Sequence, residues 1–209
     1  METAFRSEER FTQPQFLEWL EENEGFLSGR CELIDGAVVL TPPARYPHSD
    51  VATNLVLAIG AHVVQQRLGR VYESSAGYEL PSGDTLEPDV SFLSNLRLTA
   101  GPVPRPGGLL RFVPNLVVEV LSPSTERRDR TEKKRLYARN GVDEYWLVDP
   151  ATRIVTVLRL GLTGYDDGDE YRSGRIRSRV LAGLALDVET VFANLAGASL
   201  AAPDPDEKR

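Results

Sequence analysis

The stretch that most constrains this chain is Asn115-Leu116-Val117-Val118-Glu119-Val120-Leu121. A run of Val and Leu of this length reads as a strand buried on both faces. It is followed by a helical stretch, Thr125 to Asn140, closed by Gly141, and then by a second apolar run, Glu144 to Val148. A strand, a helix and a strand in this order make the two strands parallel neighbours joined by a right-handed crossover. The chain is thus expected to build an α/β fold around a mixed sheet.

One residue of the first run does not belong to its pattern. Glu119 sits among Val and Leu, where a carboxylate is costly unless something compensates it. A second short strand, Leu86-Glu87-Pro88-Asp89-Val90-Ser91-Phe92, carries Asp89 in the same way. Two lone carboxylates on neighbouring buried strands, followed by a helix with lysines, are the ingredients of a metal site.

The remaining elements follow from local signals. Thr12 to Glu22 reads as a helix with Thr12 as N-cap. Glu32 to Leu40 reads as a hairpin turning at Asp35-Gly36 and ended by Pro42-Pro43. His48 to Leu68 has apolar residues at helical spacing, and Gly69 fits its end. Val71 to Leu80 and Glu87 to Leu93 read as strands, and residues 94–113, rich in Pro and Gly, as a long loop. Arg153 to Leu160, Glu170 to Arg172 and Arg175 to Leu181 read as further strands, and Val188 to Asn194 as a last short helix.

The length of 209 residues suits one domain, expected over residues 12–196. Residues 1–11 are expected to be flexible, and the acidic, Pro-rich residues 197–209 to be a disordered tail. Met1 to Arg10 lacks the apolar run of a signal peptide, and no segment is long enough to cross a bilayer. The single cysteine, Cys31, excludes an internal disulfide and reads as a small buried residue, so the reducing cytoplasm is the expected location. A net charge of −7 argues against a surface coated for non-specific nucleic-acid binding. It leaves room for a local basic patch, such as Arg127, Arg128, Arg130, Lys133, Lys134, Arg135 and Arg139. That cluster reads either as an exposed helical face or as a grip on backbone phosphates.

Magnesium and manganese are hard cations that take carboxylate, carbonyl and water oxygens. Asp89 and Glu119 offer two carboxylates, and the Val120 carbonyl a third oxygen if the backbone faces the same pocket. Glu32 can contribute through a bound water. A lysine near such a site orients the attacking water and counters charge developing on a phosphate. Lys133 is the best placed, four residues after Asp129 and four before Tyr137 on one helical face, with Lys134 as its competitor. Each residue also has a plainer reading. Asp89 can cap a turn, Glu119 can pair with an arginine, and Glu32 can be an exposed strand residue. Tyr137 can be a core aromatic. His48 reads as a helix cap, a surface residue or a member of the site, and His62 as a helix-face residue. A Gly-x-Ser-x-Gly elbow, a phosphate-binding Gly-rich loop with lysine and paired metal-ligand histidines are absent, which argues against serine-hydrolase and P-loop chemistry.

Pro88-Asp89, followed some thirty residues later by Glu119-Val120-Leu121, resembles the PD-(D/E)XK nuclease superfamily. Leu121 stands where that pattern expects lysine. The longer series Pro114 to Thr125, Asp129, Lys133, Tyr137 and Gly141 to Pro150 resembles the Uma-type branch of that superfamily, in which the lysine has moved to the following helix. Lys133 matches its place, and His48 matches a histidine near Pro42-Pro43. The resemblance covers roughly residues 10–190. It implies a restriction-endonuclease-like mixed β-sheet flanked by helices, with extra antiparallel strands on the C-terminal side. It also implies a Mg²⁺- or Mn²⁺-dependent endonuclease acting on DNA, with Asp89 and Glu119 as ligands. Cutting both strands of a duplex favours a homodimer. The rival expectation is a nuclease-fold module that binds nucleic acid or protein without cutting.

Overall fold

The computed structural model of the chain describes residues 5–23 and 28–195. Its first half runs β1 (Phe5–Arg10), α1 (Gln13–Asn23), β2 (Arg30–Ile34), β3 (Ala37–Thr41), α2 (His48–Gln66), β4 (Gly69–Glu73), β5 (Tyr78–Glu79), β6 (Thr85–Leu86), β7 (Val90–Ser94) and α3 (Asn95–Ala100). After β8 (Leu116–Val120) comes a helix in three pieces: α4 (Glu126–Arg128), a π-helical segment (Asp129–Lys133) and α5 (Lys134–Asn140). β9 (Glu144–Asp149), β10 (Ile154–Gly161), β11 (Gly164–Tyr165), β12 (Asp169–Tyr171), β13 (Arg175–Ile176), β14 (Leu186–Asp187) and α6 (Val188–Val191) follow within the described residues.

A seven-stranded sheet has the order β11-β10-β9-β8-β7-β4, with β12 paired to β10. β8 and β9 are parallel, with Val118 beside Trp146, as the crossover helix between them requires. The other pairs of this sheet are antiparallel, so it is mixed. A smaller antiparallel sheet, β1-β3-β2-β6-β5, packs over one of its faces, and β13 with β14 adds an antiparallel ribbon on the C-terminal side.

Alternation along β8 explains the layering. Leu116, Val118 and Val120 meet Val51, Leu55, Ile59 and Val63 of α2, together with Val188 and Val191 of α6. Val117 and Leu121 face the other way, onto Leu136 and Tyr137 of α5 and Ile34 and Val39 of the small sheet. α1 closes the far side of the small sheet, with Phe16 on Cys31, Leu33 and Val38. Each fully buried Val or Leu stabilises by roughly 1.5–3 kcal/mol, so a strand sandwiched in this way anchors both layers. Glu119 belongs to the odd-numbered face of β8 and therefore points toward α5 and the small sheet.

The hairpin forms as expected, with positive φ at both Asp35 and Gly36, as a two-residue turn of this type demands. The structure departs from the sequence reading in several places. Residues 5–10, expected to be flexible, form β1, which pairs with β3 through Phe5 beside Leu40 and Arg6 beside Val39. This strand is mostly exposed and polar; main-chain pairing along the β3 edge and an Arg6–Glu132 ion pair of 2.6 Å hold it, and hydrophobic periodicity carries no trace of either. Val71 to Leu80 is not one strand, because β4 belongs to the large sheet and β5 to the small one. The expected loop over 94–113 contains α3, whose N-cap Ser94 accepts a hydrogen bond from the Arg97 amide at 3.3 Å. Arg175 to Leu181 is extended only over β13. Residues 197–209, expected to form the tail, lie outside the described residues.

Gly69 has a role different from the helix end expected of it. Arg67 takes the left-handed cap position, with φ 54°. Gly69 begins β4 beside Ser94, where a Cβ would lie 2.0 Å from the Leu93 carbonyl oxygen. Gly69→Ala is expected to destabilise the fold by more than about 1 kcal/mol, read as a lower denaturation midpoint in urea.

Candidate active site

β7 and β8 pair with Val90 opposite Val118 and Ser91 opposite Val117. One step further along this register, Asp89 falls opposite Glu119 and Pro88 opposite Val120. Both carboxylates thus project from the same face of the sheet, each 1% exposed. Pro88 has no N–H, so the ladder places no donor on the Val120 carbonyl. The Val120 amide donates to Asp89 Oδ2 at 2.7 Å.

The small sheet brings Glu32 to the same place. Within β2, residues 30 and 32 share a face, and that face looks down on Asp89 and Glu119 while Cys31 and Leu33 point to α1. Lys133 Nζ lies 2.7 Å from Glu32 Oε1 and 2.8 Å from Glu119 Oε1. Tyr137 donates its hydroxyl to the same Glu119 oxygen at 2.9 Å. His48, the first residue of α2, places Nε2 3.1 Å from Asp89 Oδ2. Asp89, Glu119, Lys133, Glu32 and His48, all expected from the sequence, therefore converge. Lys134 is only half-buried, and Lys133 holds the central position at 1% exposure.

Three residues join them that the sequence reading did not place in the site. Arg30 pairs with Asp89 and lies 3.6 Å from Glu119 Oε2 through Nη1. Arg128 donates to Thr41 Oγ1 at 2.8 Å and lies 4.0 Å from Glu32 Oε2. Asp129 is buried, with Oδ1 lacking a hydrogen-bond partner. Arg30 was traceable in principle, since a charge two residues before Glu32 must share its strand face. The π-helical segment was not. It interrupts the expected α-helical spacing where Asp129 and Lys133 are both buried, and the Tyr145 hydroxyl bonds to the Asp129 carbonyl at 2.9 Å.

Burial sets the electrostatics. It pushes the Glu119 carboxyl up to about 8 against the pull of Lys133. Burial also opposes the charge on Asp89, but the His48 hydrogen bond, Arg30 and the Val120 amide outweigh it and hold that carboxyl below the usual range. Glu32 is likewise held low, because Lys133, Arg128 and Arg30 overcome its desolvation. Burial disfavours the Lys133 ammonium, yet Glu119, Glu32 and Asp129 outweigh it and raise the group. Lys133 therefore keeps its proton at neutral pH and acts as a fixed positive charge, not as a base.

Arg30, His48, Asp89, Glu119, Arg128, Asp129 and Lys133 line a cavity of about 750 Å³ whose walls are the Pro42–Pro47 segment, Ser122–Thr125 and Asp149–Thr152. The donor set suits a hard divalent cation, with carboxylate oxygens from Asp89 and Glu119 and a carbonyl at Val120. Glu32 Oε2 is buried without a hydrogen-bond partner, as an oxygen reserved for a bound water would be. Among the described residues, no group of three or more His, Cys, Asp or Glu side chains is placed to hold a metal ion. Among the same residues, no helix is long and apolar enough to cross a membrane.

A mixed sheet flanked by helices, with this site on one face, is a restriction-endonuclease-like fold. The structure resembles the crystal structure of a putative nuclease belonging to DUF820 from Anabaena variabilis, with a TM-score of 0.70 at 20% identity, over 87% of this chain and 97% of that one. That likeness speaks for the fold. The chain belongs to the Uma2 family, described as putative restriction endonuclease, whose model matches residues 14–189. A curated relative, the uncharacterized protein slr1290 of Synechocystis sp., is 35% identical over 113 residues, or 52% of this chain and 55% of the relative. The matched part thus spans about half the length of that relative.

Proposed function

We propose that this chain is a metal-dependent endonuclease that hydrolyses phosphodiester bonds in DNA. The observation that carries this reading is the pairing of Asp89 with Glu119 on one buried face, with Lys133 Nζ 2.8 Å from Glu119. Asp89, Glu119 and the Val120 carbonyl would hold Mg²⁺ or Mn²⁺, and Glu32 would hold a bound water at its free oxygen. When bound, the ion supplies Lewis-acid stabilisation of the phosphoryl oxygens and lowers the pKa of a bound water.

The protein's own groups do the positioning. Lys133, fixed between Glu32 and Glu119, orients the attacking water and offsets negative charge that grows on the phosphate. Tyr137 fixes one Glu119 oxygen, and His48 fixes one Asp89 oxygen and sets the angle of that carboxylate. Arg45, exposed on the cavity wall, and Arg128, beneath it, supply positive potential where a DNA backbone would enter. The cytoplasm fits the single unpaired cysteine, and a two-fold dimer fits cleavage of both strands.

The test is incubation of the protein with plasmid DNA, single-stranded DNA and RNA, each with Mg²⁺, Mn²⁺ or chelator. DNA cleavage that the chelator abolishes is expected. A second reading, a nuclease-fold module that binds nucleic acid or protein without cutting, is favoured by one observation: both carboxylates already meet protein cations, Arg30 and Lys133. Calorimetric titration with Mn²⁺ separates the two, because a retired site does not take up the ion.

A further inference from the structure

Asp89 and Glu119 each use their two oxygens differently. Asp89 Oδ2 is held by the Val120 amide at 2.7 Å and by His48 at 3.1 Å. Glu119 Oε1 is held by Lys133 at 2.8 Å and Tyr137 at 2.9 Å. The other oxygen of each, Asp89 Oδ1 and Glu119 Oε2, faces Arg30, one guanidinium nitrogen toward each. The fork of Arg30 therefore spans the two carboxylates between which a divalent ion would be shared. Resting on the metal-dependent reading above, we propose that Arg30 is the resident cation of the metal seat, holding Asp89 and Glu119 together until a divalent ion displaces it into the cavity.

Three features of the structure support the exchange. Arg30 and a divalent ion cannot share the seat, because both would sit against Asp89 Oδ1 and Glu119 Oε2, and like charges in contact away from water repel strongly. The carboxylates do not depend on Arg30 for their orientation, since four other groups hold their outer oxygens. Arg30 is also the cation able to leave: its side chain is 16% exposed and lines the cavity, whereas Lys133 is 1% exposed and wedged between two carboxylates. Leaving costs Arg30 its pairing with Asp89, its approach of 3.6 Å to Glu119 and a hydrogen bond of 3.0 Å to the Glu87 carbonyl. Its guanidinium remains charged throughout and is solvated on the way out.

The exchange predicts that Arg30 weakens metal binding while stabilising the metal-free protein. Mn²⁺ titrated calorimetrically into the chelator-stripped full chain is expected to bind Arg30→Met about tenfold or more tightly than wild type, because no charged partner must be displaced. Without metal, Arg30→Met is expected to unfold at a lower temperature than wild type, and saturating Mn²⁺ to raise its Tm by more. A structural role alone would lower the Tm without tightening the metal. Should Arg30→Met fail to fold, Arg30→Lys, which keeps one charge but loses the fork, is expected to bind Mn²⁺ more tightly than wild type.

Equal or weaker Mn²⁺ binding by the variant, with wild type binding normally, overturns the exchange and leaves the metal-dependent reading standing. Binding by Arg30→Met but not by wild type supports the exchange in its strongest form. Failure of both proteins to bind Mn²⁺ overturns the exchange and the metal site together.

Discussion

Lys133→Met is expected to lower the stability of this protein by about 3–5 kcal/mol, the cost of leaving buried charge without its partner. Lys133 is 1% exposed and sits 2.7 Å from Glu32 and 2.8 Å from Glu119. Methionine matches the length of the lysine stem, so packing changes little and the loss is electrostatic. Glu32 keeps Arg128 at 4.0 Å and the Glu87 amide at 2.9 Å, whereas Glu119 keeps Tyr137 and the more distant Arg30. For a domain of this size the change corresponds to a fall in Tm of roughly 6–20 °C, measurable by scanning calorimetry. Cleavage by the folded fraction should also be lost.

A second substitution separates charge from packing. Glu32→Gln in the Lys133→Met background removes the carboxylate that is held low and so stays charged, and is expected to recover part of the lost stability. Double-mutant cycles between groups in contact resolve couplings of this kind. An unchanged Tm in Lys133→Met would mean that the ammonium does not hold the two carboxylates, and the site as drawn would have to be abandoned.

Asp89→Asn and Asp89→Ala are expected to lower Mg²⁺-dependent cleavage by about 10²–10³-fold, the scale on which enzymes lose a single preorganised electrostatic group. The asparagine variant keeps an acceptor for the Val120 amide and changes volume little, so its circular dichroism should match wild type. The alanine variant loses that acceptor and leaves Arg30 and His48 without their carboxylate, so a lower Tm is expected there as well. Reading rate and Tm for both variants distinguishes loss of a ligand from loss of the fold. If both cleave at the wild-type rate, Asp89 is not a ligand of the reaction.

Local signals carried much of the architecture. The Val/Leu run of β8 sandwiched between two layers, the Asp35-Gly36 hairpin and the crossover helix ended by Gly141 all form where their residues place them, because turn chemistry and hydrophobic period act over a few residues. The same property marked Glu119 and Asp89, since a carboxylate in a buried strand stands out against its neighbours. β1 left no trace in the pattern because five of its six residues are polar and the strand is held by another strand's backbone. The division of Val71 to Leu80 between two sheets escaped for a related reason: sheet membership is a long-range choice that strand propensity does not encode.

What the sequence determined by itself was the presence of the chemical groups and the strands and helix that carry them. Only the tertiary structure decided that β2 would fold over β7 and β8, so that Glu32 and Arg30 descend onto Asp89 and Glu119 from a second sheet. It also decided that a π-helical turn would bury Lys133 between two acids instead of leaving it on a solvated helix face. The reason lies in range. Periodicity and turn preference are settled by neighbours in the chain, whereas the value of a buried charge depends on which distant partners the packing brings within about 3 Å of it.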